Sequence, residues 1–510
     1  MFVRPLSTAM NQPIKRVLIV GGGTAGWMAA AVLARAFGPG MSIELVESEA
    51  IGIVGVGEAT IPQIRLINQY LGLDENDFVR STQGSFKLGI QFNGWDRPDG
   101  SYLHAFGDIG RGLGLVPFHQ IWRRGLEQGI TTGLWDYSLN TRAAMAERFA
   151  RLGAQDTEPL SGIHYAFHFD ASLYARYLRA LAESLGVRRT EGRIVDVVLH
   201  PESGHIHCVR LEQDREVAAD LFIDCSGFRG LLIEQALQAG YVDWTDHLPC
   251  DRAVAVPCAH GGPIRPYTQA TARRAGWQWR IPLQHRVGNG HVYCSRYMSE
   301  DEATRILLDH LEGEPLAEPR PLRFVTGHRK RFWHRNCVAL GLASGFMEPL
   351  ESTSIHLIQS GISRLLNLFP HQGFEPGLIA EYNRQAVEEF EFIRDFLVLH
   401  YHANGRQGDP FWDERRAQDV GERLRSRMDL FKRHGVISRS ADELFTEGSW
   451  LQVLLGQCGL PEQVHPLARA MPTELVSEVL RVLKGRVEQI ASRLPGHEEF
   501  IAAHCKAEPQ

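Results

Sequence analysis

The chain is predicted to fold as an α/β protein whose C-terminal portion is largely helical. Three observations carry this. Val17-Leu-Ile-Val-Gly-Gly-Gly-Thr-Ala-Gly-Trp27 passes from a short apolar run through glycines into a helical pattern. Ser42–Glu47 then reads as a second strand, and a strand–helix–strand order of this kind is parallel and right-handed. From about Leu357 strand patterns give way to helical spacing, over 377–402, 413–433, 441–457 and 473–493.

The elements follow in order. Arg16–Val20 is β-branched and leucine-rich, the pattern of a buried strand. Gly21–Gly23 punctuates it, and Trp27–Phe37 is a helix that should stop near Gly38-Pro39-Gly40. Tyr174–Leu185 is a further helix; Arg193–Leu199, His205–Leu211, Leu221–Cys225 and Cys337–Leu340 are strands. No repeat, low-complexity run or Ser/Gly-rich linker interrupts the chain, so its parts should dock closely.

Composition bounds the function. The 510 residues can bury a large core. A net charge of −6 gives no electrostatic case for binding nucleic acid or an anionic membrane. The eight cysteines are scattered without a C-x-x-C pair, which argues against a metal centre or disulfide scaffold and suits a reducing cytoplasm. The first residues lack a signal-peptide h-region. Val17–Ala34 is uncharged, but three consecutive glycines favour strand–turn–helix over a membrane span.

Gly21, Gly23 and Gly26 satisfy G-x-G-x-x-G between a strand and a helix, a Rossmann-like arrangement. The first glycine makes the turn, the second admits a pyrophosphate, and the third lets helix and strand close. The helix N-terminus, with Thr24 and Ala25, offers N–H groups and a positive dipole to phosphate. Glu47 ends the second strand, placed for a ribose hydroxyl. This pattern alone does not separate FAD from NAD.

Three other segments have ordinary readings. In Ser85-Phe-Lys-Leu-Gly-Ile-Gln-Phe92, alternation sets Lys87 opposite Phe86 and Leu88, on what would be a solvated face. In Phe346-Met-Glu-Pro-Leu-Glu-Ser-Thr-Ser-Ile355, Pro349 suits a helix start, where Glu348 and Glu351 would complement the dipole. Trp277-Gln-Trp-Arg-Ile-Pro282 reads as a strand with an aromatic core stripe.

Taken together, these segments give the chain its resemblance, over roughly 15–495, to the flavin-dependent tryptophan halogenase family, whose signature Trp-x-Trp-x-Ile-Pro stands at Trp277, Trp279, Ile281 and Pro282. The resemblance implies an FAD-binding domain with interleaved substrate-binding segments over 1–370 and a helical substrate-binding portion over 371–510. It implies FAD, used as FADH2, at Gly21, Gly23, Thr24, Ala25, Gly26 and Glu47. Ala59 would join them from the loop Gly55–Pro62, Leu342 from Gly341-Leu-Ala-Ser-Gly345, and Ile355 from the glutamate segment. Asp220–Gly230 looks like a flavoprotein strand and turn. No second nucleotide site is evident, so a separate flavin reductase should supply FADH2.

In that family the flavin C4a-hydroperoxide, formed with O2, oxidises chloride or bromide to hypohalous acid, which is directed onto an aromatic ring. Lys87 matches the family's catalytic lysine and Glu351 its catalytic glutamate. A lysine can donate to the oxidant or form a haloamine; a carboxylate can stabilise the cationic ring intermediate and take its proton. Thr353 and Ser354 would bind halide, with serine at 354 where the family usually has glycine. The tryptophans would keep substrate away from the flavin.

His104 and Phe106 match the aromatic wall around an indole, and Trp450 lies in the segment Glu447–Gln452, where free-tryptophan halogenases carry a Tyr-Tyr pair that is missing here. A small indole-like substrate other than free tryptophan is therefore expected. Flavin-dependent hydroxylation of an aromatic ring and non-catalytic flavin binding are the alternatives, and the mass of a halide-dependent product separates all three.

Overall fold

The structure is a computed structural model that describes residues 13–50 and 57–508. Strand Arg16–Val20 lies between Ser42–Glu47 and Leu221–Asp224, parallel to both. Arg188–Glu191 and Cys337–Ala339 extend this sheet in parallel on either side, and Trp333–His334 closes one edge antiparallel. Strand Arg16–Val20 is buried past its first residue, as its apolar run requires. Helix Thr24–Phe37 follows the glycines, and from Gly26 to Ala34 every residue is buried.

A second sheet of seven strands stands beside the first. Its order is Arg320–Arg323, Arg252–Cys258, Val287–Tyr293, Gly276–Pro282, Thr268–Arg273, Gly89–Asn93 and Ser101–Ala105. Only the Thr268–Arg273 and Gly89–Asn93 pair is parallel. The tryptophan motif is thus a central strand. Trp279 faces Gly290 on the neighbouring strand, where a Cβ would lie 2.1 Å from its ring, so the glycine makes room for the indole.

Ser85–Lys87 and Gly89–Asn93 do not form one strand. The first pairs with Ala166–Asp170 in a three-stranded sheet, while the second belongs to the seven-stranded sheet. The far side of Lys87 is therefore interior, not solvent. Lys87 is 0% exposed, which overturns the solvated-face reading.

The C-terminal expectation holds in kind and shifts at boundaries. Pro376–His402 and Thr473–Ala491 are single helices. The span 413–433 divides into Pro410–Ala417 and Gly421–His434, with Gly421 at φ +75°. Glu447–Cys458 begins later than expected because the Thr446 side chain accepts from Ser449 N–H and caps it there. These helices share one apolar core with both large sheets, a cluster reaching from Ile14 to Cys505. No helix among the described residues is long and apolar enough to cross a membrane.

Candidate active site

The glycine turn builds one wall of a cavity of about 1100 Å3. Gly21 has φ +111°, and a Cβ there would lie 2.3 Å from the Cys225 carbonyl oxygen. A Cβ on Gly26 would lie 1.8 Å from the Gly21 carbonyl oxygen, so this residue closes helix onto strand and does not itself line the cavity. A Cβ on Gly23 would meet no protein atom within 4 Å. That open cradle, at the N-terminus of a 14-residue helix with no side-chain cap, fits a pyrophosphate.

Glu47 lines the cavity as expected and is held by Arg189 at 2.6 Å and Arg179 at 3.7 Å. Thr24, Ala25, Ala59, Leu342 and Ile355 line it too. Gly55 and Val56, from the loop ending at Pro62, lie outside the described residues. The residues present thus suit an extended dinucleotide, with polar groups at one end and an apolar wall at the other. That wall includes Trp277, Trp279 and Ile281, the two indole centroids 6.2 Å apart; Pro282 is buried but does not reach the cavity.

A second group of side chains gathers around Lys87 and Glu351. The Lys87 ammonium donates to Ser352 Oγ at 2.7 Å, and Ser352 lines the cavity. Ser352 takes φ +59°, a left-handed residue closing the short turn Pro349–Glu351. That conformation turns its side chain toward Lys87 and releases the chain into helix Ser354–Asn367. Lys87 also sits 5.4 Å from the centroid of the Phe106 ring. Burial lowers its amine to about 7, the charge of Glu351 opposing the shift.

Glu351 is buried between two histidines. His104 Nδ1 lies 2.9 Å from Oε2, and His400 Nε2 lies 2.8 Å from Oε1. Burial would raise this carboxyl, but the charge and hydrogen bond of His104, reinforced by His400, outweigh it and hold the group at about 2. Glu351 is therefore ionised.

Thr353 and Ser354 follow directly. Thr353 is in the right-handed helical region and makes no side-chain cap, and Ser354 opens a 14-residue helix without an acid in its first turn. Ser354 is not among the residues with positive φ, so serine fits here without backbone strain. Free N–H groups at this helix end suit an anion.

His104 and Phe106 thus adjoin the lysine and glutamate. Trp450 is 1% exposed, its ring 4.9 Å from Phe396 and 4.8 Å below the Arg427 guanidinium, so it backs the aromatic cluster rather than facing open space. Phe396 stacks on Phe445 at 3.8 Å, and both contact His104. His400, Ser352, Phe396 and Phe445 were missed from the sequence. Only Ser352 carried a local signal, its place inside the glutamate segment. No group of His, Cys, Asp and Glu among the described residues could hold a metal.

A dinucleotide cradle with a tryptophan wall, met at Ser352 by a buried lysine whose neighbour is an ionised glutamate, defines a flavin-dependent halogenase. Comparison with known proteins narrows this. The family model described as tryptophan halogenase matches residues 16–473, and the chain belongs to that family. It is 33% identical to tryptophan 7-halogenase RebH of Lentzea aerocolonigenes, over 96% of this chain and 99% of that one. A solved flavin-dependent halogenase from Xanthomonas campestris is 47% identical, with a TM-score of 0.95 over 98% of this chain and 100% of that one. Another, from Brevundimonas sp. BAL3, is 42% identical, with a TM-score of 0.92 over 96% and 99%. The protein is an enzyme that uses flavin and halide to halogenate an aromatic substrate.

Proposed function

We propose that the protein halogenates an indole-like ring that is not presented as free tryptophan, using FADH2 delivered by a separate reductase, in the cytoplasm. The observation that carries this is the buried lysine linked through Ser352 to the cavity, with Glu351 alongside. Reduced FAD, when bound, would activate O2, and O2 supplies the oxidising equivalents that turn chloride or bromide into hypohalous acid. Backbone N–H groups of Thr353 and Ser354 hold the halide. The Lys87 ammonium donates to the hypohalous oxygen and polarises it toward the ring. Glu351 stabilises the positive charge that develops on the ring and accepts its proton. Trp277 and Trp279 keep substrate off the flavin. All eight cysteines are free, which suits a reducing compartment.

An aromatic library, assayed with FADH2 and either halide and read by mass spectrometry, tests the reading. Products heavier by a halogen support it. Products heavier by one oxygen, or turnover from NADH and FAD with no reductase and no reduction of free FAD, overturn it.

The substrate preference rests on the groups nearest the aromatic wall. On helix Glu447–Cys458, Gln452 is spent on both backbone groups of Ala105, and Gln457 bonds Tyr102 and the His400 carbonyl. Neither is left to anchor an amino acid. Burying an unpaired ammonium and carboxylate costs several kcal/mol each, against about 2–3 kcal/mol returned by the ring. Indole should therefore be halogenated at least about tenfold more efficiently, in kcat/KM, than free tryptophan. Equal or better use of tryptophan shows that another segment anchors it.

The lowered Lys87 amine sets a pH dependence. Its ammonium dominates below about 7 and is lost above it. With reduced flavin in excess, kcat should fall about tenfold per pH unit well above that point. Hypochlorous and hypobromous acids differ in acidity, so a limb common to both halides belongs to the protein. A rate that rises through the same range means that the neutral amine reacts, as a haloamine.

A further inference from the structure

Glu348 is fully buried, and one oxygen carries all its bonds. Oε2 accepts from Trp277 Nε1 at 2.9 Å and from the Tyr401 hydroxyl, while Oε1 has no partner. Burial pushes this carboxyl up to about 7. An apolar residue of similar size would avoid the penalty of a buried acid, so stability alone does not account for it.

Its surroundings do. Glu348 precedes and Glu351 ends the same short turn, and each meets one side chain from the sheet and one from the helix. Trp277 and His104 come from strands of the seven-stranded sheet. Tyr401 and His400 are neighbours near the end of helix Pro376–His402. The Trp277 ring lines the flavin cavity, while its N–H is bonded to a residue outside that lining. An indole has one polar atom, so this bond fixes the ring's orientation.

We propose that Glu348 is a positioning residue: by holding the Trp277 N–H it fixes the ring in the wall of the flavin cavity, and so sets how much oxidant ends in product. The proposal rests on the halogenase reading. On the productive branch FADH2, O2, X−, H+ and ArH give FAD, ArX and two H2O. On the lost branch FADH2 and O2 give FAD and H2O2.

The test uses the full-length, FAD-loaded enzyme and measures halogenated product and H2O2 per FADH2 oxidised. Glu348→Leu and Trp277→Phe should each lower product per flavin by about tenfold, with H2O2 rising to match. Glu348→Gln keeps an acceptor and should stay within about twofold of wild type. Unchanged coupling in Trp277→Phe, or in a folded Glu348→Leu, overturns the proposal. So does Glu348→Gln falling as far as leucine, which would assign the effect to charge. A wild type that makes no halogenated product sinks the halogenase reading instead. The Trp277 indole N–H resonance in 15N-tryptophan-labelled protein then decides: a shift in Glu348→Leu that Glu348→Gln restores supports positioning, and no shift overturns it.

Discussion

Lys87→Ala should lower kcat for halogenation by about two to four orders of magnitude while FAD affinity stays near wild type. The reason lies in placement. The Lys87 side chain touches Ser352 and Phe106 and does not line the cavity that fits the flavin. Its loss removes the ammonium bonded to Ser352 without touching the cradle. Glu351→Gln should lose a comparable factor. It keeps the shape but removes the negative charge that offsets a cationic ring and the base that takes its proton. Stopped-flow flavin oxidation, product mass and FAD titration separate these effects. Either variant with full activity and intact folding shows that its residue is a bystander.

The second large effect separates two glycines of one fingerprint. Gly23→Val should fold and fail to hold FAD, because its side chain enters space that no protein atom occupies. Overlap of this kind costs about 1–3 kcal/mol, or up to about a hundredfold in Kd. Gly26→Val should fail earlier, at folding, because its Cβ would overlap the Gly21 carbonyl oxygen at 1.8 Å. Thermal melting without ligand should therefore be near normal for the first variant and severely depressed for the second. If Gly23→Val binds FAD normally, the pyrophosphate does not lie over the turn.

The cradle was legible because its determinants are local: one strand, three glycines, one helix and an acid twenty-one residues after Gly26. The long C-terminal helices were legible for the same reason, since burial at Tyr382, Ala386, Phe390 and Ile393 of Pro376–His402 follows a helical spacing. Lys87 was not legible by period. Alternation supposes one continuous strand, and the chain changes sheets at Leu88, so the face opposite Phe86 turns inward. Resemblance, not alternation, singled it out. His400 was invisible for a different reason. It stands 49 residues beyond Glu351, on a helix whose pattern says only that it is buried, and its contact arises from how that helix crosses the sheet. Trp450 is buried against Phe396, a packing that the sequence could not give, because a spacing fixes a helix but not the ring in front of it.

The groups that handle the oxidant and those that form the aromatic enclosure come from different parts of the chain. Lys87, Trp277 and the turn at Glu351 sit on or against the sheets, whereas Phe396 and Trp450 arrive from the C-terminal helices and Phe445 from the segment just before helix Glu447–Cys458. Mutations in the second group can therefore reshape the enclosure without resetting the oxidation chemistry. That division lets a lineage explore new ring systems by drift in its last quarter, and it marks Phe396, Phe445 and Trp450, with His400 and Tyr401 left in place, as the positions to randomise when retargeting such an enzyme.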